Sequence, residues 1–86
     1  MYDLISFVSR AKIRKEVLLN LDEPKTPTQL SKRIQTHRPT VSRAILALEK
    51  KKLVECITPN ESMGRYYKIT SLGKNILKKL EKNENR

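Results

Sequence analysis

Two guanidinium groups and two short hydroxyls fall within six consecutive residues: Arg38, Thr40, Ser42 and Arg43 of the stretch HRPTVSRAILALEKKK, residues 37–52. An arginine donates through a planar fork that matches a phosphate or the acceptor edge of guanine. Threonine and serine donate or accept without bulk. This is a chemistry of recognition. The residues that catalysis needs are missing: there is one histidine, His37, with no paired carboxylates near it. There is also no glycine-rich phosphate loop and no cluster with metal-ligand spacing, so neither an enzyme nor a cofactor is expected. Cys56 is the single cysteine, which leaves no intramolecular disulfide and no cysteine-type zinc site. In its apolar run it reads as a buried structural thiol.

The charge balance points the same way. Nineteen Lys and Arg against nine Asp and Glu give a net charge of +10 and a pI near 10.1. Such a chain attracts polyanions: nucleic acid, an anionic membrane surface or an acidic protein. The competing reading is a lysine-rich solvated surface. Against it, the charge is uneven. Residues 35–52 carry +4 in 18 positions, residues 53–70 carry none, and the flanking segments 1–34 and 71–86 carry +3 each. With 86 residues, 37% of them apolar, one domain over 1–86 with a modest core is expected, with no large substrate cleft and no evident small-molecule ligand. No apolar run approaches a membrane span. The opening MYDLISFV lacks a basic leader and Arg10 interrupts it, so it is not a signal peptide and a cytoplasmic location is expected.

The elements that must hold the 38–43 cluster can be read from periodicity. YDLISFVS makes a short apolar helix, and Ser9 can cap a second one with Ile13, Val17, Leu18 and Leu21 inward. Pro24 ends that helix. Thr26-Pro27-Thr28-Gln29 is a helix start, with Thr26 and Gln29 as a reciprocal capping box and Pro27 at the first helical position. After a connector at residues 35–37, Val41, Ala44, Ile45 and Leu48 form the inner stripe of a helix running to about Lys51. Pro39 falls in its first turn, where no N–H is needed. The period then becomes two. LVECITP and RYYKIT read as strands joined across a five-residue loop, with Tyr67 and Ile69 on one face and Tyr66 assigned to the core edge. Thr70 or Ser71 caps a last helix with Leu72, Ile76, Leu77 and Leu80. The result is mainly α with a small antiparallel β-hairpin: a helix-turn-helix over about 26–51, a wing over about 53–70 and a C-terminal helix over about 71–82, the order of a winged helix-turn-helix.

The segment TPTQLSKRIQTHRPTVSRAILALEKKKLVECI, followed by RYYKITSLGKNIL, resembles the winged helix-turn-helix transcription regulators of bacteria and archaea, of the MarR-like and ArsR-like kind. The likeness covers about residues 9 to 80. It rests on the RPTVSR core, the Leu-Glu before the first strand, and the Tyr-Lys-Ile-Thr-x-x-Gly that leads into the last helix. Two positions depart from the pattern: Gln35 and Lys52 stand where such proteins often have glycine. If both keep a left-handed backbone, each costs about 1 kcal/mol relative to glycine.

The resemblance implies double-stranded DNA as partner, with the 37–51 helix in the major groove. Arg38, Thr40, Ser42 and Arg43 are then the base-reading set, favoured by the free N–H groups and positive dipole of the helix start. Thr26, Thr28, Gln29, Lys32, His37 and, at the wing tip, Arg65 are candidate backbone contacts. For each of these a simple cap or surface role competes. Lys50, Lys51 and Lys52 lie about 18–20 Å from Arg38 at 1.5 Å per residue, and read as a helix end, not a binding patch. A homodimer would place two recognition helices about 34 Å apart. Its candidate interface is Leu4, Ile5 and Val8 of the first helix with Ile76, Leu77 and Leu80 of the last, unless these merely wrap the protomer's core. Two other uses of the fold stay open: a protein-contact module within an assembly, and RNA binding.

Overall fold

A computed structural model describes residues 2–84. The elements are α1 (Tyr2–Ser9), α2 (Lys12–Leu19), α3 (Pro27–Ile34), α4 (Arg38–Lys50), β1 (Val54–Cys56), β2 (Tyr67–Ile69) and α5 (Ser71–Glu84). The strands pair antiparallel, with Val54 opposite Ile69 and Cys56 opposite Tyr67. Helices α2, α3 and α4 pack on one another, α1 and α5 lie against α2, and the wing follows α4. This is a winged helix-turn-helix.

Its core is one cluster. Val17, Leu18 and Leu21 meet Leu30 of α3, the stripe Val41, Ala44, Ile45 and Leu48 of α4, Leu53, Val54 and Tyr67 of the wing, and Ile76 and Leu80 of α5. Ile13 only packs against its edge, and Cys56 is half-buried where full burial was expected. Strand alternation explains the tyrosines. Tyr67 faces inward, so its neighbour Tyr66 points out and is exposed, which corrects its placement at the core edge.

The turns decide how the helices meet. Ser9 does not cap α2. Ala11 holds the N-cap position without a side-chain bond, and the Ser9 hydroxyl donates back to the Ser6 carbonyl at 3.2 Å. A serine can serve the preceding turn as readily as the next, and here the end of α1 takes it. Arg14 joins the two helices: its Nη1 donates to the Phe7 carbonyl at 2.6 Å and its guanidinium lies 3.9 Å from the Phe7 ring centre. The capping box of α3 forms as read. Thr26 Oγ1 accepts from Gln29 N–H at 3.2 Å, and Gln29 Oε1 accepts from Thr26 N–H at 3.0 Å. Gln35 closes α3 at φ 63° and Lys52 follows α4 at φ 62°, so both departures from glycine do sit in the left-handed region.

Two wing features were not legible as written. The span between strands is residues 57–66, longer than five, although Ile57 N–H donating to the Tyr66 carbonyl at 2.9 Å carries the pairing outward. Lys25 also pairs with Tyr67 in both directions, at 3.1 and 2.9 Å, which ties the approach to α3 onto the wing. Thr70 then anchors α5. Its hydroxyl accepts from Gly73 N–H at 3.1 Å and donates to the Lys52 carbonyl at 2.7 Å. At Gly73 a methyl group would overlap the Leu53 carbonyl oxygen and lie 2.6 Å from Ile69 Cγ1, so glycine is what lets α5 pack this close to the wing.

Candidate nucleic-acid interface

The start of α3, the start of α4 and the wing tip surround one hollow of about 330 Å³. Thr28 contributes from α3, Arg38 and Ser42 from α4, and Met63 and Arg65 from the wing. Local structure sets each position. The capping box fixes where α3 begins. The left-handed Gln35 turns the chain so that α4 starts beside it. Arg38 and Ser42, four residues apart, fall on the same side of α4. At the wing tip Arg65 Nε donates to the Glu61 carbonyl at 2.6 Å, a bond that orders the tip and leaves its other N–H groups unused by that contact. Gly64, at φ 64°, makes the bend.

The base-reading set divides between two sides of α4. Arg38 and Ser42 line this hollow, whereas Thr40 and Arg43 line a smaller one of about 210 Å³ with Arg14 of α2. Of the backbone set, Thr28 and Arg65 join the hollow directly. Thr26 also borders it, but it is 9% exposed and its hydroxyl is engaged in the cap, so little of it is open to a partner. Gln29 and Lys32 lie elsewhere, in a shallow depression with Arg33 and Tyr66. His37 is exposed at the N-cap of α4 with no side-chain cap bond; its carbonyl accepts from Thr40 and Val41 N–H. Lys50 to Lys52 are exposed at the far end of α4, and Lys51 Nζ is 5.6 Å from the Phe7 ring centre.

Three residues on these surfaces were not among the expectations. Leu46 is 54% exposed on the outer face of α4, in line with Pro39, Arg43 and Lys50. Its signal was present: it falls outside the inner stripe of α4. Met63 is 83% exposed at the wing tip, and nothing in a single sequence distinguishes it from any other loop residue. Arg33 is tied to α2, its Nε donating to Asn20 Oδ1 at 3.0 Å.

Electrostatics add little fine tuning. Burial pushes the Tyr67 hydroxyl above its usual pKa, outweighing the opposite pull of Arg65, so the tyrosine that backs the hollow is a neutral group. Asp22 is held below the usual carboxylate range, first by the hydrogen bond from Lys25 Nζ at 2.9 Å. Among the described residues no group of three His, Cys, Asp or Glu could hold a metal ion, and no helix is long and apolar enough to cross a membrane.

The six dimer candidates also divide. Val8, Ile76 and Leu80 are buried inside the protomer, so little of them is left for a partner; Leu4, Ile5 and Leu77 are only partly covered. Leu19, 46% exposed, borders a groove with Val8 and Leu80, rimmed by Lys12, Lys15 and Glu16.

Comparison with known proteins agrees with this architecture. The family model described as the HVO_A0261 N-terminal domain matches residues 2–86. No curated protein matches the sequence. Among solved structures, the chain is similar to the MarR family transcription regulator SP03579, with 22% identity and a TM-score of 0.76, over 96% of this chain and 62% of that one. It is similar to the transcriptional regulator Tm0710 from Thermotoga maritima, with 22% identity and a TM-score of 0.75, over 94% and 63%. It is also similar to the adhesin competence repressor AdcR from Streptococcus pyogenes, with 20% identity and a TM-score of 0.73, over 95% and 64%. The chain thus spans a little over three-fifths of the length of these three proteins. Its fold is that of the MarR-family winged-helix regulators, and these neighbours are regulators, not enzymes.

Proposed function

Because the chain belongs to the HVO_A0261 N-terminal domain family and folds as MarR-family regulators do, we propose that it is a sequence-specific duplex-DNA-binding transcription regulator, acting as a cytoplasmic homodimer. Residues 1–86 serve as a single DNA-binding unit. The observation that carries the reading is the shared hollow: Arg38 and Ser42 at the start of α4 meet Thr28 and Arg65 there. Two guanidinium groups and the first turns of two helices make that hollow a natural seat for the phosphate backbone at the groove edge, so Arg38, which the sequence placed in the base-reading set, is reassigned to the backbone. With the backbone held, the outer face of α4 around Arg43 lies toward the major-groove floor. Thr40 and Ser42 flank that face, and Arg43 is the residue best placed for a guanine edge. Gln29, Lys32 and His37 serve as peripheral backbone contacts.

The dimer is supported by the partly covered Leu4, Ile5 and Leu77 and by the exposed Leu19. Two copies joined through their terminal helices would set the α4 helices about one DNA turn apart.

Gel shifts over a salt series, on duplex DNA and on RNA, with mass measurement of the free protein, test the reading. The expected result is duplex binding that weakens steeply with salt, two protomers per site, and a preference that Arg43→Ala removes more than it removes non-specific affinity. Absence of duplex binding at low salt overturns it, and a preference for RNA would replace DNA with RNA as the ligand.

A further inference from the structure

The outer face of α4 carries Pro39, Arg43, Leu46 and Lys50 at spacings of four, three and four, so they form one row along the helix. Leu46 is the one large aliphatic side chain in that row. It is 54% exposed, while the core-facing residues Val41, Ala44, Ile45 and Leu48 of the same helix are buried. Lys or Glu there would serve the helix equally well and hydrate better. A scattered exposed leucine needs no explanation on an idle surface, but this one lies one turn beyond Arg43 on the face the proposed function turns toward DNA. The major groove offers one apolar feature to such a side chain, the C5-methyl group of thymine.

We propose that Leu46 is a specificity-determining residue that packs on a thymine methyl, next to the base pair contacted by Arg43. The inference rests on the DNA-binding reading and adds the chemistry of the site. Leu46 follows Arg43 by three positions, about 4.5 Å of helix rise. That distance corresponds to one or two base-pair steps at about 3.4 Å each. The recognised sequence therefore contains a guanine and a thymine within two steps of each other. Leu46 supplies no hydrogen bond and so tolerates either strand orientation of the thymine if the methyl falls within reach. Its loss changes preference while leaving the phosphate contacts of Arg38 and Arg65 in place.

The test uses bound duplexes selected from a random library by the full chain. Each selected thymine is replaced in turn by deoxyuridine, which removes the methyl and nothing else. Wild type and Leu46→Ala are compared on every duplex, with thermal melting to show that both are folded. At one thymine, beside the guanine whose replacement costs wild type most, uridine should weaken wild type roughly three- to fivefold, the value of one buried methyl. Leu46→Ala should lose a similar factor on the thymine duplex and nothing more on the uridine one. If no uridine duplex is weakened, or if the two losses multiply as independent changes do, the assignment to Leu46 falls while the DNA-binding reading stands. If wild type selects no duplex at low salt, both fall.

Discussion

At the N-terminal end of α4, Arg38 and Ser42 border an open hollow that Arg65 of the wing also lines. At the C-terminal end of the same helix, Lys50, Lys51 and Lys52 run in succession, the densest cationic triplet in the chain. There the backbone is occupied: Lys52 takes the left-handed turn, its carbonyl accepts from Thr70, and Leu53 behind it is fully buried. Lys51 reaches toward the Phe7 ring of α1. Helix polarity separates the two ends further. The helix dipole is positive at the first end, which suits an anion, and negative at the second, which suits the protein's own cations. Charge density alone would rank the lysine end first; the geometry ranks it second.

The comparison is broken most severely at its structural end. Gly73→Ala forces a methyl against the Leu53 carbonyl and Ile69, directly behind the lysine turn. The expected cost is about 3 kcal/mol, the upper range for overpacking, read as a lower denaturation midpoint. Duplex affinity per folded molecule should hardly change. Next in size are the arginines of the hollow. Arg38→Ala or Arg65→Ala should weaken duplex binding about tenfold or more, as expected for a charged hydrogen bond, and should flatten the salt dependence by about one phosphate each. Lys51→Ala should weaken it by less than about threefold, as a surface cation outside the interface does. If Lys51→Ala matched Arg38→Ala in both affinity and salt slope, the ranking of the two ends would be reversed.

The same contrast shows what a sequence can reveal. The capping box Thr26–Gln29, the stripe Val41, Ala44, Ile45 and Leu48, and the Thr70 lead into α5 were legible because each is a local pattern with one physical solution. Arg38, Ser42, Thr28 and Arg65 were singled out by residue type. That they share a hollow depends on how far the wing folds toward α4, which no periodicity encodes. Thr40 and Arg43 looked equivalent to them in sequence and turn to another flank, because a helix rotates about 100° per residue. The pairing of Lys25 with Tyr67 joins residues 42 positions apart and left no local trace. Val8, Ile76 and Leu80 were apolar residues in excess of a small core only until the helices were seen to close on one another.

Smaller effects sharpen the contrast between the two turns that flank α4. Gln35→Gly and Lys52→Gly each relieve a left-handed backbone, and each should raise stability by up to about 1 kcal/mol. Gln35→Gly also loosens the turn that sets Arg38 beside Thr28, so it should weaken duplex binding where Lys52→Gly does not. Thermal melting and gel shifts on the two variants measure both. Equal behaviour in binding would mean that the 35–37 turn does not position the reading end.

The smallest expected effect lies at the back of the hollow. Burial raises the pKa of Tyr67 above its ordinary value of 10.0. Between pH 10 and that raised value the unfolded chain has released the tyrosine proton while the folded chain keeps it, so the unfolded state binds fewer protons and stability falls as pH rises. Below pH 10 the group is neutral in both states and contributes no slope. Tyr67→Phe removes the ionisation and should flatten that fall, even if it costs stability uniformly at neutral pH. Because lysines, with an ordinary pKa of about 10.4, begin to titrate in the same range, the quantity to read is the difference between wild type and Tyr67→Phe in unfolding free energy across pH 9 to about 11. A difference that stays constant with pH would mean that Tyr67 ionises freely in the folded protein. The hollow would then be backed by a wetter, looser wing than the backbone pairing of Tyr67 with Lys25 and Cys56 describes.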